Sequence, residues 1–272
     1  MIVRGININF RCWNEEATDT IVLLHGFTGS VATWNKVAQL IPNHYRIVAV
    51  DLIGHGLSDA PTEVAMYSME EQVEVLHELF KELHLSNFTL LGYSLGGRVA
   101  LSYVANYPNK VNHLILESAS PGLKTEQERE ARRISDEKLA DEILQNGLQS
   151  FVEKWENILL FESQKKLPTE VQKKIREERL SQKEIGLANS LRGMGTGAQK
   201  SLWTSISDIT LPVTLITGSI DEKFCKIAQE MVKLLPNANH VEIRDVGHAI
   251  HVENPTLFAT IVKDVLKKKG GN

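Results

Sequence analysis

Ser94 stands between two glycines in Gly92-Tyr93-Ser94-Leu95-Gly96. It follows the apolar run Phe88-Thr89-Leu90-Leu91 and precedes a stretch with helical character, Gly97 to Tyr107. A serine on such a strand-to-helix turn sits in tight backbone where flanking side chains would collide, which is what the glycines avoid. The turn lifts the hydroxyl clear of a sheet, at the positive end of a helix dipole. Chemistry at such a serine needs a base, a group that orients the base, and donors for a developing oxyanion.

Each of these has a candidate. His25-Gly26-Phe27-Thr28-Gly29 follows the apolar run Ile21–Leu24, and the small residue after the histidine lets backbone N–H groups turn toward a pocket. In an acyl-transfer or enolate-forming site, the amides of Phe27 and Leu95 would together hold the oxyanion. His248 comes after the last strand and the Arg244-Asp245-Val246 turn. It is expected to be the general base in preference to His251, because Gly247 frees its loop to aim the ring. His251 is expected to pack or to line the site. The carboxylate that fixes the histidine tautomer is to be found among Asp208, Asp221, Glu222 and Asp245. Asp221 is favoured, since it lies at the carboxyl end of the strand Val213–Thr217, where sheets of this kind build their sites. Asp245 is too near His248 in sequence and is expected to end its strand.

Arg98 falls one helical turn after Ser94, on the same face. A guanidinium beside such a serine needs an anionic partner, either a protein carboxylate or an acid on the substrate.

The elements that must position these residues follow from the pattern of apolar runs. Ile21–Leu24, Ile47–Val50, Phe88–Leu91 and Val111–Leu116 read as buried strands, and the stretch from Met69 to Leu83 reads as a helix with Val73, Leu76, Leu79, Phe80 and Leu83 on one face. The pattern returns with strand Val213–Thr217, helix Phe224–Leu235, strand Val241–Ile243 and a closing helix from Pro255 to Lys267. Met1 to Asn7 alternates like a strand. Strands alternating with helices predict an α/β fold with a mainly parallel central sheet covered by helices on both faces.

Between the two halves the texture changes. From Gly122 to Arg192, 28 of 71 residues are charged, against 24% for the whole chain, and Pro168 is the segment's one proline. Glu, Lys, Arg, Leu and Gln favour helix. Leu139, Ile143, Leu144, Leu148, Phe151, Val152 and Trp155 recur at a helical spacing that a linker would not need. The expected organisation is a core over residues 1–121, an inserted helical lid over 122–195, and the rest of the core over 196–272.

Composition narrows the function classes. The chain has 272 residues, 42% of them hydrophobic, enough for a sizeable core, and its net charge of −4 argues against general nucleic-acid or membrane-surface binding. No apolar segment is long enough to span a bilayer. With no export signal ahead of them, Cys12 and Cys225 are expected to be reduced thiols in a cytoplasmic protein. No His/Cys/Asp cluster has metal-ligand spacing, and no metal or other cofactor is expected. A monomer, or at most a weak homo-oligomer, is expected, with the terminal Lys267-Lys268-Lys269-Gly270-Gly271-Asn272 a solvated tail.

The order Ser…Asp…His, with an insertion between the Ser and Asp strands, resembles the α/β-hydrolase superfamily over nearly the whole chain. Asp51-Leu52-Ile53-Gly54-His55-Gly56-Leu57-Ser58-Asp59 is similar to that superfamily's D-x-x-G-H-G-x-S element. Further segments resemble one branch, the SHCHC synthases of menaquinone biosynthesis. They are Gly92 to Arg98, Glu117 to Leu123, the Arg-rich stretch Arg129 to Asp136, Phe151 to Trp155, and Leu191 to Gln199 with Leu202-Trp203. The resemblance implies a lyase that eliminates pyruvate from the polyanionic SEPHCHC, with Ser94 acting as a base. It further implies that Arg98, Arg132 and Arg179 bind substrate carboxylates, with Arg129 and Arg133 as rivals of Arg132, and Arg176 of Arg179. Tyr93, Trp155 and Phe161 would line the pocket. The alternatives are a carboxylesterase or carbon–carbon hydrolase of the same fold, or a ligand-binding protein without catalysis.

Overall fold

The computed structural model describes residues 1–267; the remainder of the basic C-terminal tail lies outside the described residues. A hairpin of two short strands, β1 (Ile2–Val3) and β2 (Ile6–Asn7), opens the chain where alternation predicted one strand. Arg4 and Gly5 both adopt positive φ (50° and 80°), and that turn breaks the run.

The central sheet follows, built from β3 (Phe10–Trp13), β4 (Asp19–Leu24), β5 (Tyr45–Val50), β6 (Phe88–Tyr93), β7 (Val111–Glu117), β8 (Val213–Gly218) and β9 (Ala238–Ile243). They lie in the order β3-β5-β4-β6-β7-β8-β9, and only β3 runs antiparallel. The sequence pattern missed β3, a short edge strand carrying Arg11. Helices α1 (Asn35–Leu40), α2 (Met69–Glu82), α3 (Leu95–Asn106), α7 (Glu222–Leu234) and α9 (Pro255–Lys267) cover the sheet. The intervening numbers belong to the insertion, α4 (Glu126–Trp155), α5 (Thr169–Leu180) and α6 (Glu184–Met194), and to the short α8 (Ile250–Glu253) after β9.

One apolar cluster packs α2, α3 and α7 on one face of the sheet, with Leu90, Leu114 and Leu215 facing it. Another packs α1 and α9 on the opposite face, against Leu23, Leu91 and Ile216. The central strands are thus buried on both sides, which accounts for their unbroken apolar character.

The insertion has its own small core of Ile143, Phe151, Val152, Leu187 and Leu191. Helix α4 is broken at Gly147 (φ 77°, ψ 168°), so the apolar face read through it as one stripe changes direction there, and Leu144 is left exposed. The insertion is tied to the core by polar contacts: Glu178 accepts from Ser30 and Thr33 hydroxyls (2.6 and 2.7 Å), and Gln182 accepts from the Gly56 amide (3.0 Å).

Two histidines at the strand ends, His25 and His55, are fully buried. The ring Nε2 of His25 accepts from the Leu52 amide (3.1 Å), and the His55 ring lies 5.2 Å from it. Burial drives the His25 imidazole down to about 4 and that of His55 to about 3. Both stay neutral in the folded chain, while the unfolded chain takes up their protons below about pH 6.5. Stability from these two groups is therefore full above that pH and falls as the pH drops toward 4 and 3. Urea unfolding at pH 7 and pH 5 is expected to show a loss of roughly 2 kcal/mol per histidine, and His55→Gln should remove its share.

Candidate active site

The turn after β6 places Ser94 at φ 50° and ψ −105°, a conformation a serine holds only when its surroundings impose it. The imposing contacts are the Ser94 amide donating to Glu117 O (2.9 Å) and the Arg98 amide closing the first turn of α3 on Ser94 O (3.0 Å). A Cβ at Gly92 would strike the Gly96 carbonyl, and one at Gly96 would strike the Leu24 carbonyl. The glycines are required by backbone approaching backbone.

His248 Nε2 lies 3.0 Å from Ser94 Oγ, and its Nδ1 lies 2.6 Å from Asp221 Oδ2. Both ring nitrogens are thereby committed: Nδ1 carries the proton toward the buried carboxylate, leaving Nε2 to accept from the serine. Asp221 also caps α7, accepting from the Phe224 amide (3.3 Å), which fixes its rotamer. His251, the rival, points away. It is buried under Trp34 and Tyr93, with Nδ1 2.8 Å from both carboxylate oxygens of Glu117. Asp245 takes positive φ (59°) in the turn beyond β9.

A cavity of about 210 Å³ opens over Ser94. Phe27, Tyr93, Leu95, Trp155 and Phe161 contribute to its walls, together with Ser94 and His248. Among the described residues, no group accepts a hydrogen bond from the Phe27 or Leu95 amide, and both residues line the cavity with Ser94. Trp155 stacks on Phe151 and meets Phe27 edge to face at 5.5 Å, and its indole N–H is buried without a partner. Phe161 stands edge-on to the His248 ring.

Arg98 reaches the same cavity, 8% exposed, donating to Met194 O (2.9 Å) and Gln199 Oε1 (2.7 Å). Among the described residues, no carboxylate lies in salt-bridge range of it. Arg132 also lines the cavity, paired with Asp136 at 2.7 Å. Burial first, and then the Arg132 charge, lower the Arg98 guanidinium to about 10, against a smaller raising pull from Asp136. Asp136 thus pairs with Arg132 and acts on Arg98 only through space. Asp136 Oδ2 is itself buried and unpartnered.

The structure separates the lid arginines. Arg129 pairs with Glu126, Arg133 with Glu126 and Glu130, and Arg176 with Glu153 and Glu156, so none of the three lines this cavity. Arg179 lines an adjoining cleft that shares Phe27, Tyr93 and Phe161 with this cavity. It is buried with its guanidinium 4.6 Å from the centre of the Phe161 ring and donates to Gln164 (3.1 Å). Lys223 and Ser190 line the cavity without having been singled out from the sequence, and Phe224, Ile227 and Thr196 line it though read only as a helix face and as part of the Leu191–Gln199 resemblance. Lys223 was within reach of inference, being in the first turn after Asp221.

The chain from residue 19 to residue 255 matches the family model for the α/β-hydrolase fold. The chain belongs to the α/β-hydrolase family. Within that family it is 48% identical to a putative 2-succinyl-6-hydroxy-2,4-cyclohexadiene-1-carboxylate (SHCHC) synthase of Bacillus subtilis, over 92% of this chain and 91% of the relative. The solved structure of MenH from S. aureus superimposes with a TM-score of 0.92 at 36% identity, covering 97% of this chain and 99% of that one. A thermophilic esterase from Thermogutta terrifontis, solved with malate bound, is 25% identical with a TM-score of 0.84, covering 97% and 94%. Among the described residues, no helix is long and apolar enough to cross a membrane.

Proposed function

We propose that the chain is an SHCHC synthase, a carbon–oxygen lyase that eliminates pyruvate from SEPHCHC in menaquinone biosynthesis. The observation that carries the reading is Arg98, a buried guanidinium in the Ser94 cavity with no carboxylate partner and a second guanidinium nearby. A cavity with that charge suits a substrate bearing several carboxylates. The names of the relatives point the same way.

In this mechanism His248, held by Asp221, takes the Ser94 hydroxyl proton, and Ser94 Oγ takes the ring proton beside the succinyl ketone. The electron pair moves into the ketone as an extended enolate, whose oxygen the Phe27 and Leu95 amides hold. The enolate collapses, the carbon–oxygen bond to the enolpyruvyl group breaks, and the leaving enolpyruvate takes a proton and becomes pyruvate. The ring keeps the new double bond. Ser94 is a base throughout and forms no bond to carbon.

The purified chain given SEPHCHC is expected to release SHCHC and pyruvate in equal amounts. Fast turnover of short-chain esters with no pyruvate would replace the lyase with a carboxylesterase of the same fold. Inertness toward both would leave a binding protein.

A further inference from the structure

The loop that carries His248 has an anchor outside the Ser94–His248–Asp221 chain. Glu253, at the end of α8, folds back so that its Oε2 accepts from the Gly247 amide at 2.8 Å. Its other oxygen, Oε1, accepts from the hydroxyl of Ser163 at 2.9 Å. Ser163 belongs to the insertion, two residues beyond Phe161, on a short 3-10 helix, and is 9% exposed. One carboxylate therefore grips the residue immediately before His248 with one oxygen and the lid with the other.

The neighbourhood is shaped for this grip. A Cβ at Gly247 would run into Ser163 Oγ and come within 3.1 Å of Glu253 Oε1, so glycine is what admits the lid hydroxyl here. Helix α8 is in turn fixed from below, because the His251 amide donates to buried Glu117 at 3.0 Å. Glu253 thus ends a helix that is hydrogen-bonded to the buried Glu117, while its two bonds reach the His248 loop and a segment of the insertion. Phe161, on the same 3-10 helix as Ser163, stands against the His248 ring. The position of that helix is therefore felt at the histidine both through the ring and through the carboxylate.

We propose that Glu253 is a positioning residue that couples lid docking to the aim of His248, with Ser163 as its contact on the lid. With Ser163 in place the carboxylate is held from both sides and presents Gly247, and so Nε2 of His248, toward Ser94. With the lid displaced, the carboxylate loses one partner and the loop loses part of its restraint. This role rests on Ser94 being activated by His248, as in the reading above, but it does not depend on which substrate is used.

The test accordingly uses no substrate. The full chain is exposed to phenylmethanesulfonyl fluoride near neutral pH, and sulfonylation of Ser94 is followed by intact mass. Native protein should label at a rate that His248→Ala abolishes. Glu253→Ala should label about tenfold to 100-fold more slowly, since displacement of a catalytic group by about 1 Å is worth that much. Ser163→Ala should be about threefold slower, and the double variant no slower than Glu253→Ala, because both act through one carboxylate. Glu253→Gln keeps the size and one acceptor, and should fall between native and alanine; with Ser163→Ala it decides the matter if Glu253→Ala does not fold. A purely structural Glu253 would lower the melting temperature and leave the labelling rate of folded protein unchanged, which would overturn the proposal. Native-rate labelling of Ser163→Ala beside a slow Glu253→Gln would overturn the coupling to the lid. Unlabelled native protein, or labelling indifferent to His248→Ala, would overturn the activated serine itself and this role with it.

Discussion

Ser94→Ala is expected to lower kcat for pyruvate release by about 10³-fold or more while changing KM by less than about threefold. The asymmetry follows from where binding and chemistry reside. In the proposed reading, recognition of the polyanion falls to the guanidinium groups of Arg98 and Arg132, which make no bond to the Ser94 hydroxyl, whereas proton removal would pass through that hydroxyl alone. The strained turn persists in the variant, since alanine keeps the Cβ and the amide bond to Glu117 O. His248→Ala should cost a similar amount, and combining it with Ser94→Ala should add little, as the two act as one unit. The same enzyme offers a check on the base role. Intact mass during turnover of SEPHCHC should reveal no adduct on native protein, and an accumulating acyl or glycol-ether adduct would make Ser94 a nucleophile instead.

The parts of the site that could be read in advance share a property: each is anchored at the end of a strand. Ser94, Phe27, Asp221 and His248 lie beyond β6, β4, β8 and β9, and parallel order brings those ends to one edge. Strand periodicity and the glycines beside Ser94 and His248 were enough to place them. Arg98 followed from Ser94 by helical spacing alone. The lid obeys no such rule. Periodicity tells which face of a helix is buried but not which cavity that face overlooks, and Arg179 lines the cleft adjoining the Ser94 cavity. Gly147 turns α4 through a positive φ that helical spacing does not announce. Glu253 is invisible for a related reason: its partners, Gly247 and Ser163, are joined only by the way the insertion docks on α8.

Arg98→Ala is expected to reduce kcat/KM for SEPHCHC by at least ~30-fold, equivalent to about 2 kcal/mol, because it strips a charge-assisted contact made by a buried guanidinium. Charge balance sets the size of the effect. Arg98 and Arg132 face one carboxylate, Asp136, so the cavity wall carries an excess positive charge in a buried setting. A buried charge without a counter-ion is costly, and a bound carboxylate would relieve it. The guanidinium, at about 10, remains protonated at neutral pH despite its burial. Its two bonds, to Met194 O and Gln199 Oε1, both leave from Nη1, so the remaining N–H groups are the ones open to a substrate acid. Arg98→Lys should recover only part of the loss, because an ammonium cannot reach both acceptors and still present a planar pair of donors. Asp136→Asn supplies the opposite sign: with that counter-charge gone, the affinity for the polyanion should rise while the fold loses stability. Steady-state kinetics on the three variants checks this. An unchanged kcat/KM in Arg98→Ala would make the guanidinium a structural strut for the Leu191–Gln199 turn, and the excess charge would then have no role in recognition.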